Sequence, residues 1–69
     1  MTTKFITLTR DGGGVFDVAI HHIVTITQLT VDGEEMGEVS LTGYPRGLCV
    51  KETRDTIKKL IRQAEKNYG

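Results

Sequence analysis

"LCVKETRDTIKKLI", residues 48–61, is the stretch whose reading decides the fold. Its first residues alternate. Leu48 and Val50 point one way and Cys49 the other, which is the two-residue period of a strand. From Thr53 the spacing changes. Ile57, Leu60, Ile61 and Ala64 fall at i, i+3, i+4 and i+7, one face of an α-helix, with Tyr68 a turn further on. Thr53 suits the N-cap, and Asp55 suits the first turn, where the helix dipole favours negative charge. Lys59, Arg62 and Lys66 lie toward the other end, where positive charge is favoured. A last strand over 48–51 therefore runs almost directly into a helix over 53–67.

Everything upstream reads as strands and turns. "KFITLTR", residues 4–10, is rich in strand formers, with Ile6 and Leu8 on one face. "DGGG" breaks it as a hairpin turn. A phosphate-cradling loop would need a helix next, but "VFDVAI", residues 15–20, alternates like a strand. "HHIVTITQLTV" continues extended, and the run from 15 to 31 exceeds ordinary strand length, so a bend is expected near His21 and His22. In the 23–31 strand, Ile23, Thr25, Thr27 and Leu29 are expected on one side, and Val24, Ile26 and Gln28 on the other. "DGEEMG" reads as an acidic loop over 32–38, and 38–42 as a short strand with Val39 and Leu41 inward. "GYPRG" turns the chain, leaving Tyr44 and Arg46 at its tip. The predicted class is α+β, mostly β: one small domain over residues 1–69, a curled antiparallel sheet of about five strands with one C-terminal amphipathic helix.

A chain of 69 residues builds a thin core. Cys49 is its single cysteine, so no internal disulfide can reinforce it. No His/Cys spacing suits a metal, and no cofactor is expected. Self-association or a partner protein is then the expected route to extra burial. With 38% hydrophobic and 26% charged residues, the composition is that of a globular chain rather than a disordered or membrane-spanning one. No stretch resembles a signal peptide. A cytoplasmic location, without membrane insertion, is the expectation.

The net charge is zero but unevenly placed. Residues 1–45 carry two basic and six acidic side chains, a balance of −4, whereas residues 46–69 carry seven basic and three acidic, a balance of +4. Arg54, Lys58 and Arg62 recur every four residues and form a basic helical stripe. With Tyr44 and Arg46, whose types interfaces favour, they are the candidate partner contacts. The same stripe suits nucleic-acid phosphate, with Arg10, Lys51, Lys59 and Lys66 as further contacts. Stacking aromatics are scarce and the net charge is zero, so a protein partner is favoured over RNA or DNA. A homodimer is expected, either with the acidic loop of one copy meeting the basic helix of another or through an edge strand such as 4–10. Adjacent on a strand, His21 and His22 would point apart and make a poor chelate, and although a bend could bring them together, no Asp, Glu or Cys is placed as a third ligand. Cys49 has Lys51 on its own face, which would lower its pKa slightly, and no partner for nucleophilic catalysis. There is no triad, carboxylate pair or cofactor fingerprint, and no enzyme activity is expected.

The whole chain resembles the FlbD (SwrD) family of small bacterial flagellar proteins. The resemblance rests on "FITLTRDGGGVFDVAIHHIVTI", with Ile23 and Ile26 as an x-x-I-x-x-I pair, and on "LCVKETRDTIKKLI", similar to that family's V-K-E-S/T run into a helix. It implies a flagellar accessory role through protein binding, while similar small proteins also serve in other settings, including phage genomes. The motifs concern turns, core positions and a helix start. "VAIHH" departs from the family's bend, and the 32–38 segment is longer than the family's. A weaker likeness to the CsrA translational regulators rests on "LTR" and on Pro45 to Val50. It implies one RNA contact, Arg10. A phage-encoded inhibitor of a host protein, or a sponge for a small anion, completes the set of readings.

Overall fold

The computed structural model describes residues 4–67. The expected position of Tyr68 lies outside them. The order is β1 (Phe5–Thr9), β2 (Val15–Ala19), a single 3-10 turn η1 (Ile20–His22), β3 (Ile23–Val31), β4 (Glu34–Leu41), β5 (Leu48–Val50) and α1 (Arg54–Asn67). The class is the predicted mostly-β α+β, built as two antiparallel sheets, β1-β2 and β3-β4-β5.

The two sheets are stitched together where β1 ends. Arg10 bridges Val50, the Lys51 N–H donates to the Thr9 carbonyl at 2.9 Å, and the Asp11 N–H donates to the Cys49 carbonyl at 3.2 Å. β2 flanks β1 along its length, and β5 meets it only at its end. The expectation that residues 4–10 offer an edge is thus corrected at that end alone, where residues 9–11 are bonded to β5 and the residues that follow it. Glu52 closes the same junction. Its carboxylate accepts from the Thr9 N–H at 2.8 Å and from the Thr9 hydroxyl at 2.9 Å. A charge-assisted acceptor thus takes a backbone donor that the three-residue β5 is too short to satisfy.

The expected acidic loop over 32–38 is also corrected. The connection is only Asp32-Gly33, with φ of 51° and 82°, and Val31 pairs with Glu34 across it. Two successive positive φ values make the primed two-residue turn that matches strand twist, and Asp-Gly is among the few pairs that adopt it cheaply. The strand expected at 38–42 therefore begins at Glu34, and Glu34, Glu35 and Glu38 are strand residues.

β3 holds a β-bulge. Ile23 pairs with Leu41 and Thr25 with Ser40, so Val24 is extra. A regular strand would turn Ile23 and Ile26 to opposite faces, as the sequence reading had it. The extra residue restores parity. Both isoleucines pack on the core, while Val24 is left 64% exposed.

The core is Ile6, Leu8, Val18, Val39, Val50 and Ile57, joined by half-buried residues that include Leu60, Ile61 and Ala64 of α1. Leu8, Val39, Val50 and Ile57 are fully buried, each contributing roughly 1.5–3 kcal/mol. The helix stripe read from the sequence thus closes this core. α1 begins as expected at Thr53, whose hydroxyl accepts from the Thr56 N–H at 3.4 Å. A second cap comes from β3: the Gln28 side-chain carbonyl accepts from the Arg54 N–H at 3.0 Å.

Candidate interaction surfaces

The outer side of α1 follows from its inner one. With Ile57, Leu60, Ile61 and Ala64 committed to the core, Arg54, Lys58, Lys59, Arg62 and Lys66 are turned to solvent. Arg54 lies 4.0 Å from Asp55, both well exposed, so this contact adds little stability. Lys58, Lys59, Arg62 and Lys66 make no ion pair among the described residues. The stripe of Arg54, Lys58 and Arg62 is therefore one continuous basic surface.

Two other candidate cations stand apart from it. Arg10 lies over the Phe16 ring, 5.3 Å from its centroid, a cation–π contact at the β1-β2 turn. Lys51 sits among Asp11, Asp32, Glu34 and Glu35 on a groove of about 350 Å³. Four of the six acidic side chains of residues 1–45 line that groove together with the lysine.

Tyr44 and Arg46 lie on the β4-β5 loop. The Tyr44 N–H donates to the Leu41 carbonyl at 3.1 Å, and Tyr44, Arg46 and Leu48 border a groove of about 260 Å³. Tyr44 is 52% exposed. Among the described residues no hydrogen bond, ion pair or ring contact joins this loop to the basic stripe.

His21 and His22 fall in the bend expected near them. In the 3-10 turn their rings approach to 4.3 Å between centroids, tilted by 40°, rather than pointing apart. Both are exposed, and no cluster of three metal-ligating side chains occurs among the described residues. Cys49 is corrected in sign. Its pKa is raised, first by burial and then by the nearby carboxylates of Asp11 and Glu38, and the neighbouring Lys51 does not reverse this. Desolvation and two negative charges both disfavour the thiolate, the reactive form.

The sequence reading missed one surface, the free edge of β3. β3 pairs with β4 alone. Its nine residues, "IVTITQLTV", include no charge, no proline and no glycine. The signal was present as an uncharged, β-branched run, but which strand is outermost depends on long-range pairing.

No family model, no curated protein and no solved structure matches this chain. No helix among the described residues is long and apolar enough to cross a membrane.

Proposed function

We propose that this chain is a non-catalytic protein-interaction module that docks the outer face of α1 on an acidic surface of a larger protein or assembly. The observation that carries the reading is the division of labour on α1. Its inner face is used up by the core, and Arg54, Lys58 and Arg62 stand in a row on the other, with Lys58 and Arg62 free of any carboxylate partner among the described residues. Such a row gives steering and register more than raw affinity. Tyr44 and Arg46 would supply a second contact, since an aromatic and an arginine are the types that concentrate binding energy. The FlbD-like pattern of turns and core positions supports the same reading, because it implies a small accessory protein that works by binding.

An RNA- or DNA-binding regulator is the alternative. It has less to draw on. Arg10 is engaged with Phe16, and Lys51 shares its groove with Asp11, Asp32, Glu34 and Glu35, whose charge disfavours phosphate, which leaves Lys59 and Lys66 to extend the stripe.

The test is Lys58→Glu/Arg62→Glu. Both side chains are exposed, so the fold should survive, as circular dichroism would verify. Affinity capture from the native host, followed by binding of each captured protein in purified form, should identify an acidic partner whose affinity drops at least about tenfold with the double variant. Equal binding by the two forms would contradict the proposal. Salt-sensitive binding to RNA, lost in the double variant, would favour the alternative.

A further inference from the structure

We propose that the free edge of β3 pairs with the same edge of a second copy of this chain, antiparallel about a two-fold axis at Thr27, to join the two β3-containing sheets into one. This interface is distinct from the basic face of α1.

The backbone supplies the first argument. In a two-residue hairpin the residues flanking the turn exchange hydrogen bonds, and bonded pairs then alternate along the ladder. Val31 and Glu34 flank the turn here, so Leu29, Thr27 and Thr25 bond to β4. The N–H and C=O groups of Ile26, Gln28 and Thr30 point away from β4, toward the free edge. With the axis at Thr27, Ile26 of one copy faces Gln28 of the other, and both have outward groups to exchange. Opposed residues share a sheet face, so α1 of each copy lies on the same side of the joined sheet.

Composition supplies the second argument. Two-fold pairing sets a strand against itself, and any charge near the axis would meet its like. β3 carries none over nine residues. Natural free edges are usually blunted by charge, proline or shortness. The strands of the other sheet are blunted: β1 and β2 have only five residues each, and β2 carries Asp17. β3 has no such protection beyond the bulge at its start. The helix start that Gln28 caps brings Arg54 near the axis, but with Asp55 beside it the charge there is balanced.

The ends supply the third. Antiparallel pairing lays the C-terminal end of one β3 beside the N-terminal end of the other. The Asp32-Gly33 turn, with Glu34 next to it, then comes to η1 of the partner, where His21 and His22 are exposed. Carboxylate acceptors meet imidazole donors at both ends of the interface. A foreign strand would satisfy the first argument but has no reason to match the other two.

The test combines mass and cross-linking. Light scattering at tens of micromolar should give twice the 7.7 kDa chain mass, and Thr27→Lys, which changes an exposed side chain, should return the chain mass at the same concentration. In a Cys49→Ser background, Thr27→Cys should form an intermolecular disulfide under mild oxidation, since facing non-bonded residues stand about 4.5 Å apart at Cα. Val15→Cys, on the β2 edge, should not. A monomer at every concentration would overturn the proposal. So would a dimer that Thr27→Lys leaves intact, or one that cross-links through Val15→Cys and not Thr27→Cys.

Discussion

Gly37 shows how little room the fold leaves where α1 meets the sheet. A Cβ there would lie 2.5 Å from the Glu52 carbonyl oxygen and 2.9 Å from Cδ1 of Ile57. The first neighbour is backbone, held in place by the Glu52 carboxylate on Thr9 and by the cap at Thr53, so it cannot swing aside. Gly37→Ala is therefore expected to destabilise the protein by about 1–3 kcal/mol, the usual range for overpacking, read as a lower urea midpoint. A midpoint equal to the wild type's would mean that the helix start is not held against β4. Sequence reading placed Gly37 in a loop, where glycine is ordinary. Its real role needs the α1 start to be stacked on β4, a contact between residues far apart in the chain.

At the scale of elements, the readings held where one period and its punctuation agree. The helix had its apolar spacing, its cap at Thr53 and its first-turn Asp55, and each finds its expected place. The "DGGG" turn held for the same reason: the Gly13 N–H donates to the Arg10 carbonyl at 3.0 Å and β2 follows at once. β3 was harder, because a bulge changes the parity of a strand without changing its composition. Ile23 and Ile26 share a face only because Val24 is set aside. This gives a sharp test of register. Deleting Val24 removes the unpaired residue and leaves every core side chain on its face, so a cooperative urea transition is expected. Deleting Thr27, also exposed, shifts the pairing by one and turns Ile26 from the core, so the transition should be lost. The same behaviour from both deletions would contradict the bulge.

Over the whole molecule, the fold class was legible and the surfaces only partly so. Exposed cations on a helix follow from the apolar stripe opposite them, which is why Arg54, Lys58 and Arg62 could be placed in advance. Lys51 could not, because its acidic neighbours Asp11 and Glu34 come from distant segments. The edge was misplaced for the same reason. The bridge between Arg10 and Val50 engages the end of β1, while β3 pairs with β4 alone along all its nine residues. A chain with eight buried apolar side chains among its described residues has a thin core, and its nine-residue uncharged edge is open to pairing. The most direct measurement is amide hydrogen exchange of β3 over a range of protein concentrations. The outward amides of Ile26, Gln28 and Thr30 should become protected as concentration rises, while those of Thr25, Thr27 and Leu29, already bonded to β4, start out slow. Outward amides that exchange equally fast at every concentration would contradict the account.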